Sequence, residues 1–379
     1  MEENYIVIPA LEPGPGLTEQ IVELHSRITA QIIVIDDGSG EAYRDIFDRI
    51  SRIDRCVVLR HGKNRGKGQA LKTGFRYIRQ YAGTDCLVLC TDCDGQHLPE
   101  DGAKLLQAAE ENPGTLVLGI RDFSGENVPW KSRLGNRISS FAFRLHGGGR
   151  LEDTQTGFRA FDGSLLDLMM QIPGDRFEYE MRMLLVCADR GIPVLTEKTE
   201  TIYVNENEGT HFRPVRDSIQ VMSVLFRGLG RFGTSSLICA LLDLVLFGFF
   251  DGAFRYMEPF RRVAAATVTA RIVSAGINFL LNRNWVFRRP APASLAEDRE
   301  WKERYWLREE QTTVLRYISL CIGVTVSSAL SVYAVSALAD VRPEAAKILC
   351  DGLLFILSYR IQKSWVFAYR RKDDRPYGG

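Results

Sequence analysis

The chain has 379 residues, with 48 Lys and Arg against 47 Asp and Glu and a formal net charge of +1. That length leaves room for one soluble domain of ordinary size and something smaller. The even charge excludes a general nucleic-acid binder, which needs a cationic surplus to neutralise phosphates.

The chain opens Met-Glu-Glu-Asn and passes directly into Tyr5-Ile6-Val7-Ile8, a strand pattern rather than a cleavable signal, so the first domain is expected in the cytosol. Short β-rich runs follow at Ile32 to Ile35, Cys56 to Leu59, Cys86 to Cys90 and Leu116 to Leu118, separated by segments such as Gly68 to Tyr81 that read as helices. This alternation predicts a mostly parallel sheet covered on both faces, with ligands at the carboxyl ends of its strands. Three polar motifs fall at such ends: Pro9-Ala10, Asp36-Asp37-Gly38-Ser39 and Thr91-Asp92-Cys93-Asp94-Gly95-Gln96-His97. Asp92 and Asp94, with the amide of Gln96, are candidate hard ligands for Mg2+ or Mn2+ held against a diphosphate. Asp36 and Asp37 either close a turn or accept hydrogen bonds from a base or ribose. Asn64 to Ala70 tempts one toward a phosphate loop, but no Gly stands at 61 and no Ser or Thr follows Lys67. It reads as a glycine-rich lead into a helix, with Lys67 near a bound nucleotide.

The eight cysteines form no disulfide framework and read as free, mostly buried thiols. Cys90-x-x-Cys93 with His97 lacks the second ligand pair that a zinc site needs.

Taken in order, these pieces resemble a family 2 glycosyltransferase of the GT-A fold, of the dolichyl- or polyprenyl-phosphate sugar synthase type, over residues 5 to about 218. The pieces are Ile8-Pro9-Ala10, Val34 to Ser39, Asn64 to Gly68, Asp92 to His97, Gly119-Ile120-Arg121, Asp153 to Arg159 and His211-Phe212-Arg213-Pro214. Where the family has Asn-Glu after Pro-Ala-x, this chain has Glu12-Pro13. The resemblance implies metal-dependent transfer of one sugar, with inversion, from a GDP- or UDP-linked donor to a polyprenyl phosphate. It assigns Pro9, Ala10, Glu12, Asp36, Asp37, Lys67, Asp92, Asp153, Gln155 and Arg159 to the nucleotide sugar, and Asp94 to catalysis as well as to the metal. Arg121 and Arg133, with Arg137 one turn on, are candidates to clamp the acceptor phosphate, because guanidinium forks match phosphate oxygens. Trp130-Lys131-Ser132-Arg133 reads as an apolar, basic loop at the membrane surface. Glu178 or Glu180 contacts the sugar or faces solvent.

From Arg231 the chain changes solvent. Long apolar runs appear that the first 210 residues lack: Phe232 to Phe250, Val263 to Leu281, Val314 to Leu338 and Ala345 to Tyr359. They repeat: Arg231-Phe232 matches Arg316-Tyr317, and Asn284-Trp285-Val286-Phe287 matches Ser364-Trp365-Val366-Phe367. This half resembles a GtrA-type four-helix membrane domain. The expected order is a GT-A domain over 1–211, an amphipathic juxtamembrane segment over 212–230, a transmembrane hairpin over 231–288, a charged cytosolic connection over 289–313, a second hairpin over 314–369 and a basic tail over 370–379. Arg227, Arg231, Arg288, Arg289 and Arg370 to Lys372 mark the cytosolic side, against Arg255, Arg261 and Arg262 in the opposite loop. Asp243 and Arg271 fall at similar depth on helices running in opposite directions, near the bilayer centre. They are expected to pair, with Lys347 and Asp351 extending a polar network.

Those intramembrane charges also fit a second function, a lipid-carrier flippase with the soluble domain as its tether, although a tether would not need the Asp92 and Asp94 ligands. A processive polysaccharide synthase is excluded, because no tryptophan completes a Gln-x-x-Arg-Trp motif.

Overall fold

The structure, a computed structural model, describes residues 3–121, 130–145, 149–200, 214–287, 299–339 and 343–367. It divides into two units, Met1–Leu225 and Phe226–Gly379.

In the first unit β1 (Glu3–Ala10), α1 (Leu17–Arg27), β2 (Gln31–Asp36), α2 (Arg44–Ile50), β3 (Cys56–Arg60), α3 (Lys67–Tyr81), β4 (Cys86–Cys90) and α4 (Pro99–Glu111) alternate. They are followed by β5 (Leu116–Arg121), α5 (Trp130–Leu145), β6 (Arg159–Asp162), α6 (Leu166–Gln171), α7 (Glu178–Arg190) and β7 (Val194–Thr199). The strands form one sheet in the order β3-β2-β1-β4-β6-β5-β7. All neighbours are parallel except β6, which runs antiparallel to both β4 and β5.

The central strands are continuous apolar runs because both of their faces are covered. Successive residues alternate between two cores. Tyr5, Val7, Ile33, Ile35 and Val88 pack with Phe75, Ile78, Met169 and Leu184 from α3, α6 and α7. Ile6, Ile8, Ile32, Val34 and Leu89 pack on the other face with Leu17, Ile21, Phe47 and Leu105 from α1, α2 and α4. Each such side chain contributes roughly 1.5 to 3 kcal/mol, and a one-residue slip would exchange the two sets, so the register is strongly fixed. Chain order reverses between β1 and β4, which opens a crevice beyond their carboxyl ends.

The sequence reading contains neither β6 nor β7. β6 is four residues long and begins on an arginine, and β7 is an edge strand, Val-Leu-Thr-Glu-Lys-Thr, whose polar residues mask its alternation.

The second unit is built on α8 (Pro214–Ala253), α9 (Pro259–Leu281), α10 (Arg299–Ala339) and α11 (Pro343–Ile361), α8 beginning within the first unit. Among the described residues, Phe226–Ala253, Pro259–Val286 and Gln311–Val335 are long and apolar enough to cross a membrane. α11, at 19 residues, is not among them. The expected juxtamembrane segment is helical from Pro214 on and runs without a break into the rest of α8. The expected connection is helical from Arg299 on, which places Trp301, Tyr305 and Trp306 on α10. Arg288, Arg289 and the basic tail lie outside the described residues.

The internal repeat appears as geometry. α9 and α11 both end in a π-helical turn, Asn282–Val286 and Gln362–Val366. The matching residues Asn282 and Gln362 meet, Nδ2 donating to Oε1 at 3.1 Å. Phe287 stacks on its counterpart Phe367 with ring centres 5.2 Å apart. Phe232 packs on Tyr359 at 5.5 Å and Tyr317 on Phe279 at 5.2 Å, the same contact seen from each repeat. The helices thus close around a local two-fold axis, with an aromatic and amide layer at the end that carries the π turns.

Asp243 and Arg271 do pair, at 3.5 Å, and Ser274 Oγ donates to Asp243 Oδ1 at 2.8 Å. In the repeat their positions hold Ser328 and Asp351, joined by a 2.5 Å hydrogen bond. Lys347 pairs with Asp351 on its own helix at 2.9 Å. Among the described residues no ion pair joins the two sets, so each helix pair compensates its own charge and the expected single network divides in two.

Candidate active site

The crevice at the ends of β1, β2 and β4 is built by loops that hydrogen-bond one another. Asp37 N–H donates to Ala10 O at 2.8 Å, and Asp36 Oδ1 accepts from Ser39 N–H at 2.9 Å. Ser39 Oγ in turn accepts from the N–H of Glu12, a residue in the left-handed region at φ 44°. Pro9 and Ala10 are buried at the end of β1.

Asp37, expected to face a nucleotide, is 3 % exposed. Its oxygens accept from His61 Nδ1 at 2.6 Å and from the N–H groups of Arg65 and Gly66 at 2.9 and 2.7 Å. His61 Nε2 meets Thr73 Oγ1 at 3.0 Å. Asp37 therefore fixes the lead into α3 instead of presenting a free carboxylate, because backbone donors of a tight turn reach it first. That turn ends at Gly66, φ 98°, and delivers Lys67 as the first residue of α3.

Lys67 Nζ lies 2.6 Å from Asp92 Oδ1 and 2.9 Å from Glu180 Oε1. Gln20 Nε2 donates to Asp92 O at 2.8 Å, and His97 Nε2 is 3.9 Å from Asp92 Oδ2 while its ring stacks on Phe158 at 4.3 Å. Burial opposes ionisation of Asp92, yet the Lys67 charge and then His97 hold its carboxyl well below the usual carboxylate range. Lys67 is likewise held charged against its burial by Asp92 and Glu180. Burial and then the Asp92 charge push Asp94 upward, with Gln96 N–H donating to Asp94 Oδ1 at 3.2 Å.

Among the described residues no three His, Cys, Asp or Glu side chains converge as on an all-protein metal site. Two adjacent carboxylates and an amide residue do fit an ion such as Mg2+, which is commonly bound through one or two carboxylates plus phosphate oxygens and water. Burial pushes the Cys90 and Cys93 thiols up to about 12, which makes them inert packing thiols in the metal-free chain.

At the end of β5, Arg121 makes a forked pair with Asp153, Nε to Oδ2 at 2.8 Å and Nη2 to Oδ1 at 3.4 Å. Asp153 has no exposed surface and also accepts from Gln155 N–H at 2.9 Å. It reaches a ligand only through Arg121, a correction to its expected place at the nucleotide sugar that follows from burial, since a buried carboxylate needs a cationic partner. Arg159 is corrected in the same sense. It is 1 % exposed, and its Nε and Nη1 donate to Thr156 O and Glu180 O at 3.0 and 2.7 Å. It ties the 153–159 loop to α7. Trp130 to Arg133 is not a loop but the first turn of α5, so Arg133 and the exposed Arg137 stand one turn apart on one helix. Asn136 on α5 accepts from Thr154 N–H at 3.2 Å, and Ser139 Oγ accepts from Thr154 Oγ1 at 2.9 Å. These contacts fix α5 to the same loop, and the sequence carries no signal for them. Glu180 joins the Lys67 cluster, whereas Glu178 accepts from Asp175 N–H at 3.1 Å.

Residues 5–168 match the family described as glycosyl transferase family 2, and residues 231–367 match the GtrA/DPMS transmembrane domain. The chain carries a family 2 glycosyltransferase domain followed by a GtrA/DPMS transmembrane domain. An uncharacterised protein of Methanocaldococcus jannaschii is 28 % identical to the transferase over 206 residues, 53 % of this chain and 82 % of that protein. A UDP-N-acetylglucosamine–dolichyl-phosphate N-acetylglucosaminyltransferase of Methanococcus voltae is 27 % identical, over 52 % of this chain and 85 % of its own length. A polyprenol monophosphomannose synthase of Mycolicibacterium smegmatis is 27 % identical over 44 % and 64 %.

Proposed function

We propose that this glycosyltransferase moves a single sugar, with inversion at the anomeric carbon, from a GDP- or UDP-linked donor to a polyprenyl phosphate at the cytosolic face of the membrane. The observation that carries the reading is the cluster of Asp92, Asp94 and Lys67 at the reversal of strand order, in a chain that also bears a membrane domain. The acceptors in the names of the Methanococcus and Mycolicibacterium relatives, a dolichyl phosphate and a polyprenol monophosphate, support the lipid class.

The acceptor phosphate is largely dianionic near neutral pH, its second pKa being about 6, so it attacks without a dedicated base. The protein's work is alignment and charge. Arg121, oriented by Asp153, and Arg133 and Arg137 on α5 hold the acceptor phosphate. Pro9, Ala10, Glu12 and Asp36 line the nucleotide side, and Lys67 adds a donor beside the diphosphate. A divalent ion, Mg2+ or Mn2+, held by Asp92, Asp94 and Gln96 would neutralise charge on the leaving diphosphate. The reading includes four spans, α11 with its π turn forming the fourth.

The test is incubation of membranes containing the full chain with a panel of radiolabelled GDP- and UDP-sugars and undecaprenyl or dolichyl phosphate. One donor is expected to give a lipid-extractable, acid-labile monosaccharide product that disappears with a chelator. Failure of every donor on both lipids, with the protein folded, would overturn the assignment.

A further inference from the structure

We propose that Lys67 is an internal cation that holds the place of the divalent metal at Asp92 until the donor arrives, so that metal enters only together with a nucleoside diphosphate. The inference rests on the metal role given to Asp92 and Asp94 above.

Three observations carry it. The ammonium sits 2.6 Å from Asp92 Oδ1, on a carboxylate oxygen that the metal would need. Its second anchor is Glu180 Oε1 at 2.9 Å, and the lysine and Glu180 side chains are only 16 % and 9 % exposed, so water screens the cluster poorly. A Cβ built on Gly157 would come within 2.7 Å of Lys67 Nζ and 2.9 Å of both Asp92 Oδ2 and Glu180 Oε1, so the three groups converge on one small space. A doubly charged ion and an ammonium cannot both occupy it without strong mutual repulsion.

Among the described residues the carboxylates also fall short of a complete metal site on their own. A diphosphate repairs both defects. Its oxygens complete the coordination, and its negative charge gives the Lys67 ammonium somewhere to go when it leaves Asp92. The protein is thereby protected from loading metal without donor, and from leaving the half-buried Asp92 and the buried Glu180 as uncompensated charges between turnovers.

The test measures free Mn2+ by electron paramagnetic resonance with the purified full-length protein in detergent, alone and with GDP or UDP. The native chain is expected to bind Mn2+ weakly alone and about 10-fold or more tighter with the diphosphate it accepts, a coupling within the usual range between two sites. Lys67→Met is expected to bind Mn2+ about 10-fold tighter than the native chain without any nucleotide. Lys67→Arg should keep the weak native affinity. Lys67→Gln, which retains a donor to Glu180 without charge, gives the same reading should the Met variant misfold. In thermal unfolding, the Met or Gln variant should melt lower than the native chain in chelator and recover on adding Mn2+. Unchanged or weaker Mn2+ binding in both uncharged variants overturns the placeholder role. Adding Asp94→Asn to Lys67→Met should remove the gained affinity. If Asp94→Asn changes Mn2+ binding neither there nor in the native chain with diphosphate, the metal assignment falls instead.

Discussion

Asp92 and Asp94 stand two residues apart and are driven in opposite directions by their surroundings. Lys67 and His97 hold Asp92 ionised, whereas burial and Asp92 itself oppose the charge on Asp94. The signs give opposite pH behaviour. A carboxyl raised in the folded state costs stability wherever it is ionised, above its unfolded value of about 4, and costs nothing once both states are protonated. Asp94→Asn should therefore raise Tm at pH 7, with the gain gone near pH 3, while transfer falls about 100-fold or more. Asp92→Asn should lower Tm at pH 7, because a depressed carboxyl contributes stability that is lost only as pH falls through its folded value. Scanning calorimetry of both variants from pH 3 to 8 checks this, and a loss of Tm at pH 7 in Asp94→Asn would contradict it. Gly157→Ala belongs to the same scale. Its methyl meets the ends of three side chains, which can shift, so the fold should survive while kcat falls about 10- to 100-fold through misplacement of the cluster.

At the scale of elements, the site depends on how α5 and the 153–159 loop are tied to the sheet. Arg159 bridges that loop to α7 from inside the core. Arg159→Leu removes the side-chain donors to Thr156 O and Glu180 O from inside the core and should cost about 2 to 4 kcal/mol in chemical denaturation. Arg133 on α5 tests the acceptor side: Arg133→Ala should weaken apparent affinity for polyprenyl phosphate by about 1.5 to 3 kcal/mol and leave that for the nucleotide sugar unchanged. The reverse pattern would exchange the roles. The strands that carry Asp36, Asp92 and Arg121 are legible because apolar runs followed by polar turns announce them. α5's first turn is not, because Trp130-Lys131-Ser132-Arg133 has the composition of a basic surface loop and its helical state is set by contacts through Asn136 and Ser139.

Across the whole molecule, the membrane unit compensates its charges one helix pair at a time. The Asp243–Arg271 pair couples α8 to α9, as Ser328–Asp351 couples α10 to α11. In a double-mutant cycle read by thermal stability in detergent, Asp243→Ala and Arg271→Ala should show a coupling of about 0.6 to 2 kcal/mol. Strictly additive losses would remove the pairing and favour a polar path for a lipid headgroup. Membrane orientation is tested by single cysteines labelled with an impermeant reagent on intact cells: position 256, between α8 and α9, should react, and position 227 should not. Arg261 and Arg262, the arginines that argue against this orientation, lie near Glu258 at 3.9 Å and Asp251 at 2.9 Å respectively.

The sequence by itself determined the two-part organisation, the alternating sheet, the motifs at its strand ends and the repeat in the membrane half, because periodicity and composition report which solvent each segment meets. Tertiary structure alone decided which of the motif residues face one another. Asp37, Asp153 and Arg159 share motifs with Asp36, Gln155 and Gly157, yet they are spent on His61, Arg121 and the α7 carbonyl of Glu180. Lys67, Asp92 and Glu180 come from three distant segments to form one cluster. Linear spacing cannot encode such meetings: a buried charge is settled by the nearest partner in space, and that partner is chosen by how helices and strands pack.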